Sequence, residues 1–410
     1  MYRIILLLSA GLLAGNVAHA QTPEEPAAPL TLPDALRLAE GGNATLSAAR
    51  HELAAQGGAL QQARALPNPE LQTVLEDTRR ATRSTTVQLN QLIELGGKRG
   101  ARTAAAQRGE DVAQAGLALQ QANTRAAVTS AFVDVLAAQE GLRLADSAQA
   151  LAARASDITA RRVTAGKASP VEATRARVAE ASVRLELNLA RSALVSARKR
   201  LAALWGNATP RFTEADGRLE TLPELPPGSE LAARLAHAPA VRQAQSALAQ
   251  RQALLDVEQR RATPDVTVSI GMKRSEELGR NQAIVGLALP LPLFDHNAGN
   301  KLDALRRSDK ASDELAAARI DVQTAVAAAS ERLATARLDV ESLRRDILPG
   351  AQSAYDAASK GFEFGKFAFL DVLDAQRTLL QAKNQYLRAL TEAHQAAADI
   401  ERLLGAPASL

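Results

Sequence analysis

Asp371 and Asp374 stand three residues apart, a spacing that places both carboxylates on one side of a helix. Two kinds of chemistry suit such a pair. Acidic groups in a first helical turn offset the positive end of the helix dipole. Repeated around the axis of an assembly, the same positions become rings of carboxylates that attract cations and repel one another, an electrostatic constriction. The four histidines beyond the first 20 residues, His51, His237, His296 and His394, lie far apart and lack the spacing of metal ligands. His296 follows Asp295 and reads as part of a helix's N-terminal turn. With no Cys and 2 Met, soft ligands are scarce as well. No nucleophile–base arrangement stands out. We therefore expect no catalytic residues, no cofactor and no metal centre.

The elements that must position these residues follow from composition. The chain has 410 residues, 46% hydrophobic but only 3% aromatic. Globular cores lean on aromatic rings for buried area. Here Ala and Leu fill the apolar share, with Arg, Gln and Glu between them, the mixture of long helices and coiled coils. Absence of Cys excludes disulfides, Cys-based clusters and a lipid-modified N-terminal Cys. The net charge of +4 is interspersed, which describes solvated helix faces and no nucleic-acid footprint.

Residues 1–20 read as a signal peptide: Arg3, an apolar run from Ile4 to Leu13, and Ala18-His19-Ala20 as a cleavage site before Gln21. Beyond them no run of 18 apolar residues occurs, so no membrane-spanning helix is expected, whereas spanning strands leave a weaker signal.

The mature chain is a divergent duplication. Gly166-Lys167 recurs as Gly365-Lys366, and the segment around Leu201 to Gly206 aligns with Ile400 to Gly405. The first copy covers 21–205 and the second 230–410. An irregular linker, 206–229, carries Pro210, Pro223, Pro226 and Pro227. Each copy reads as one helix, two strands, a helix of about 65 residues spanning ~97 Å, a Gly-Lys turn and a returning helix. Val183, Leu187, Ala190, Leu194, Ala197, Leu201 and Leu204 step by four and three, a coiled-coil seam. Ala382, Tyr386, Ala389, Ala393, Ala396, Ile400 and Leu403 repeat it. Leu333, Val340 and Ile347 mark the seam of the second long helix, with a kink expected at Pro349-Gly350.

The strands alternate, Leu71, Thr73 and Leu75 opposite Gln72, Val74 and Glu76. Such strands suit a membrane barrel or a small hairpin packed on a helix. Four strands cannot close a barrel. Two chains would supply eight, whose side chains fill the interior, and three would supply twelve around a passage.

At this point the residues resemble a known family. The order of elements, and the block Gly361-Phe362-Glu363-Phe364-Gly365-Lys366-Phe367-Ala368-Phe369-Leu370-Asp371-Val372-Leu373-Asp374-Ala375-Gln376, are similar to the outer-membrane efflux (TolC-like) proteins and their Tyr-x-x-Gly tip block. Phe362 stands where the family usually has Tyr. Gln91 to Arg99, with Gly96 and Gly97 at a strand-to-helix junction, and Pro290 to Asp295 at the other, are similar to the CzcC-type heavy-metal branch. The resemblance implies a mainly α fold with a small β part. A duplicated coiled-coil tunnel would join four strands per chain of a trimeric twelve-stranded outer-membrane barrel. It implies an outer-membrane location with a large periplasmic portion, a homotrimer, a periplasmic adaptor and an inner-membrane pump of the resistance-nodulation-division type. The barrel would contact outer-membrane lipid. It places Asp371 and Asp374 as the pore constriction, and Gly166, Lys167, Phe362, Gly365 and Lys366 at the tip facing the adaptor. Other readings are an outer channel for multidrug efflux or type I secretion, or a soluble periplasmic coiled-coil adaptor.

Overall fold

The computed structural model describes residue 25 and residues 29–224 and 227–405. The signal peptide expected over 1–20, Pro226 of the linker and positions 406–410 lie outside them. The first copy runs β1 (Leu30–Thr31), α1 (Leu32–Gly42), α2 (Ala44–Arg64), β2 (Glu70–Glu76), β3 (Ser84–Ile93), α3 (Lys98–Thr164) and α4 (Pro170–Ala203). A short strand, β4 (Ala215–Asp216), follows. The second copy runs α5 (Gly228–Leu235), α6 (Pro239–Arg260), β5 (Val266–Ser275), β6 (Arg280–Ala288) and α7 (Ala298–Ser342). After a π-helical turn (Leu343–Ile347) come α8 (Leu348–Glu363) and α9 (Phe369–Leu404). At 67 residues, α3 is about 100 Å long.

The seams lie where the periodicity puts them. Leu187, Leu194, Ala197 and Leu201 of α4 are buried on a helix whose other residues are mostly exposed, and Ala382, Ala393, Ala396 and Ile400 of α9 are buried likewise on a helix covered more evenly toward its end. Leu201 packs with Val128, Phe132 and Val135 of α3. Ile400 occupies the equivalent place against Val326 and Leu333 of α7. Complete burial of one such leucine is worth about 1.5–3 kcal/mol. Ala knobs let the helices approach closely, which is why so few aromatics are needed.

Two expectations need correction. First, the single helix before each strand pair is two. Asn43 has extended backbone between α1 and α2; its Oδ1 accepts from Leu46 N at 2.9 Å and its Nδ2 donates to Leu204 O at 2.8 Å. The second copy breaks at Ala238, which a following Pro239 holds out of helical geometry while starting α6. Second, Ile347 leaves the seam and is 44% exposed. Pro349 has no N–H for a normal helical bond, and one residue earlier Leu348 N bonds to Leu343 O across five residues. The helix does not end. The wider turn takes up one residue, and Leu348, Ala351, Tyr355, Ala358 and Phe362 carry the seam onward, all at least half-buried.

The linker, irregular apart from Ala215–Asp216, is nonetheless held in place. β4 pairs in parallel with β1. Ala215 exchanges bonds with the Gln139 side chain, N to Oε1 at 2.7 Å and Nε2 to O at 3.0 Å. Leu219 is buried among Val133 of α3, Val340 of α7 and Leu390 of α9. The Glu25 carboxylate is buried and accepts from Arg211 N at 2.7 Å, Phe212 N at 3.1 Å and the Asn207 side chain. The linker thus clasps both copies at mid-height.

Asn43→Ala should lower stability by about 1–2 kcal/mol, read from the urea midpoint of the purified protein. Asn43→Asp, which keeps the cap acceptor but loses the donor to Leu204, should fall between.

Candidate functional site

The strand–strand register decides what the sheet can do. Its order is β2-β3-β5-β6, antiparallel throughout, so the hairpins of the two copies join through β3 and β5. Leu71, Leu89, Ile270 and Val285 pair successively across the sheet, as do Thr73, Val87, Met272 and Ala283. Side chains directly across a ladder share a face. One face is therefore aliphatic from edge to edge, and it stays in solvent within the single chain: Val285 is 81% exposed and Leu287 74%. A hairpin packed on a helix would bury these residues, so that reading of the strands fails.

The opposite face is mostly amide, hydroxyl and paired charge. Gln88 Nε2 donates to Gln72 Oε1 at 2.6 Å, and Asn90 Nδ2 to the same oxygen at 3.1 Å. Lys273 Nζ lies 2.5 Å from the Glu76 carboxylate, which also accepts from Ser84 Oγ at 2.7 Å. At Gly271 a Cβ would sit 2.5 Å from the Gln88 Cβ, so no side chain fits there. The edge strands β2 and β6 each have one side without a partner among the described residues, and an aliphatic sheet with open edges requires both an apolar surrounding and further strands. Pro290 and Pro292 lie beyond the end of β6, where no ladder bond is lost.

A polar joint ties the sheet to the helices. Asp265, just before β5, accepts from Leu95 N at 3.0 Å and pairs with Lys98 at 2.8 Å. Arg102 pairs with Glu94 at 2.5 Å and donates to Ala63 O and Ala65 O. Gly96 and Gly97 have φ of 67° and 72°, the left-handed region, and Gly97 opens α3. In the second copy Asn297 takes that role with φ 58°, its N–H bonded to Asp295 Oδ1 at 2.8 Å. His296 beside it is exposed.

At the far end both helical hairpins turn in the same way. Gly166 (φ 69°) and Gly365 (φ 74°) are left-handed. Their N–H groups bond to Val163 O and Phe362 O at 2.9 and 3.0 Å. Those of Lys167 and Lys366 bond to Arg162 O and Gly361 O, each at 2.8 Å. This pattern satisfies the last carbonyls of each helix.

The two tips are joined by a contact that sequence reasoning missed. Arg162 Nη1 donates to Phe362 O at 2.6 Å, and its guanidinium lies 4.4 Å from the centroid of the Phe362 ring. Phe362 is buried and packs on Phe369 at 5.8 Å. A hydroxyl at this ring is not needed to fasten the tip, because the backbone carbonyl and the ring face do so. Gly361, the counterpart of Arg162 in the second copy, leaves room for Phe367, whose ring a Cβ there would meet at 2.0 Å. Signals existed: the duplication puts Arg opposite Gly at this place, and the Arg lies in a helix's last turn.

Asp371 and Asp374 are both exposed at the start of α9. Asp371 Oδ2 accepts from Ala368 N at 2.9 Å, so this carboxylate caps the helix. Asp374 has no ion-pair partner among the described residues. The first copy holds Glu172 and Arg175 in their places. Around them Phe364 is 77% exposed, and Phe367 and Leu370 about half.

The structure does not bring the histidines together. His394 is buried, its Nε2–H donating to Leu219 O at 3.0 Å, and desolvation holds its pKa below the ordinary value. Among the described residues no cluster of three or more His, Cys, Asp or Glu could hold a metal ion, and no helix is long and apolar enough to cross a membrane.

Arg162→Ala should release the second tip, with the amides of Gly365 and Lys366 exchanging about tenfold faster in deuterium labelling. Arg162→Lys, which keeps charge but not the planar fork, should lie between.

A family model described as outer membrane efflux protein matches residues 35–207 and 231–406. The chain is 48% identical over 408 residues to the cobalt-zinc-cadmium resistance protein CzcC of Cupriavidus metallidurans, covering 97% of this chain and 98% of that protein. It is 30% identical over 322 residues to the nickel and cobalt resistance protein CnrC of the same organism, covering 75% and 74%. Among solved structures it resembles CusC, with TM-score 0.79, 16% identity and 92% of each chain covered. The outer-membrane channel OprN gives TM-score 0.77 and 20% identity, over 91% of this chain and 89% of that one. At these identities the structural likeness speaks for the fold.

Proposed function

The chain belongs to the outer membrane efflux protein family, and from that premise we propose that it is the outer-membrane exit duct of a tripartite pump exporting heavy-metal cations. The observation that carries the duct is the sheet: aliphatic on one face, polar on the other, open at both edges, at the end of helices about 100 Å long. Pairing β6 of one chain with β2 of the next closes a ring. Three chains give twelve strands, the smallest assembly of such chains with a water-filled passage. Cobalt, zinc and cadmium as cargo are supported by the 48% identity to CzcC along nearly the whole chain.

The parts then take roles. Residues 1–20 direct export and are removed. The copies 21–205 and 230–410 each supply one hairpin of strands and one of helices, with 206–229 clasping them. The Gly166-Lys167 and Gly365-Lys366 turns, with the exposed Phe364, Phe367 and Leu370 beside them, meet the helical hairpins of a periplasmic adaptor. An inner-membrane pump of the resistance-nodulation-division type supplies energy and chooses cargo. The duct performs no covalent chemistry. Asp374 from three chains forms a carboxylate ring that attracts cations and holds them at the tip, the constriction of the pore, while Asp371 adds charge and caps α9.

Asp371→Asn with Asp374→Asn should weaken cation selectivity and raise single-channel conductance in planar bilayers, since Asn still accepts the capping bond. Unchanged currents would remove the ring from the mechanism. Gly365→Val forces a β-branched residue into left-handed backbone. It should reduce adaptor-dependent metal resistance more than trimer assembly. Deleting the gene should sensitise cells to cobalt, zinc or cadmium. Sensitivity only to organic toxicants or loss of a secreted protein would reassign the cargo.

A further inference from the structure

The aliphatic columns of the sheet end, on the side of the two hairpin loops, in arginine. In β3 the column Leu89, Val87, Thr85 continues by alternation to Arg83, and Glu276 N donates to Arg83 O at 3.0 Å, one rung beyond the pair Ser84–Ser275. In β5 the column Ile270, Met272 continues to Arg274, which pairs with Thr85 across the ladder. Arg83 and Arg274 are thus diagonal neighbours on the aliphatic face.

The loop between β2 and β3 is built rather than slack. Asp77, with φ 65°, accepts from Arg79 N at 2.9 Å and from the Thr82 hydroxyl, and Arg83 N bonds back to Arg79 O at 2.9 Å. This fold of the loop leaves Arg79 and Arg80 exposed at its crest, without a carboxylate partner among the described residues. Counter-charge is limited: Asp77 is held in its own turn, Glu276 lies 3.5 Å from Arg274, and Glu277 remains.

The four strands contain no Phe, Tyr or Trp. Membrane barrels ordinarily fix their depth with aromatic rings at both interfaces. At the opposite end the exposed Phe294 offers such a ring; at the loop end there is none. Guanidinium groups can fill that place, because their stems lie along apolar surface while the planar head binds phosphate through two parallel bonds.

We propose that Arg79, Arg80, Arg83 and Arg274 form a belt that binds the phosphate groups of lipids in the outer leaflet and sets the depth of the barrel. The belt rests on the barrel reading above. The test uses the full mature trimer in detergent and native mass spectrometry with bis-phosphorylated lipid A, dephosphorylated lipid A and inorganic phosphate as probes. The expected result is tighter retention of the phosphorylated lipid, falling about tenfold or more in Arg83→Gln/Arg274→Gln and again in Arg79→Gln/Arg80→Gln. Arg306→Gln/Arg307→Gln on α7 should leave retention unchanged. Equal retention of the two lipids, an equal loss in the α7 variant, or displacement by inorganic phosphate at matched concentration would overturn the belt. Pore formation in neutral bilayers is scored in parallel. Pores without lipid preference strike the belt alone, whereas no pores in any lipid would overturn the channel reading and the belt with it.

Discussion

The ladder between β3 and β5 is the interaction on which the rest of this structure depends. Each strand comes from a different copy of the duplication, and their pairing runs from Ser84↔Ser275 to Ile93↔Val266. It makes one sheet of two hairpins and sets which side chains share a face. It also pushes β2 and β6 to the edges, where their free N–H and C=O groups await other chains. A slip of one residue would set Leu89 opposite Ser269 or Gly271 and turn the apolar residues of the two hairpins to opposite faces of the sheet. The joint formed by Asp265 with Leu95 N and Lys98 lies just past this ladder, so the same register orients the first long helix.

Much of this was legible in the amino-acid order. A heptad seam is a local, repeated signal, and Leu187, Leu194, Leu201 and Ile400 are buried where the period says. Strand alternation is equally local, and the left-handed turns at Gly166 and Gly365 announce themselves through glycine. What was not legible depends on partners distant in the chain. The break at Asn43 is fastened by the carbonyl of Leu204, 161 residues away, and helical periodicity runs straight past it. The departure of Ile347 from its seam comes from a hydrogen-bond adjustment upstream of Pro349, to which a pattern of apolar residues is blind. The linker reads as irregular because its order comes from single contacts, Ala215 with Gln139 and Leu219 with three helices, and from no period.

The copies have diverged where they meet at the tip. Arg162 of the first reaches across to Phe362 of the second, while the equivalent place in the second copy is Gly361, kept small beneath Phe367. Asp371 and Asp374 face Glu172 and Arg175 in the same comparison, so charge and latch have both been partitioned between hairpins that share one turn geometry. An assembly of such chains would alternate two unlike hairpins around its axis.

The polar face of the sheet bears on what a passing ion experiences. Between Glu70 at one end and Arg280 at the other, Gln72, Gln88, Asn90, Thr86 and Ser269 offer neutral oxygens, and the close acid–base pair, Glu76 with Lys273, is already neutralised. Amide and hydroxyl groups compete poorly with water for a small divalent cation. A cation crossing the neutral stretch between Glu70 and Arg280 would keep its hydration shell, with no ligand exchange to slow it. On such a lining, ions as different in coordination taste as cobalt and cadmium would pass as nearly equivalent hydrated spheres.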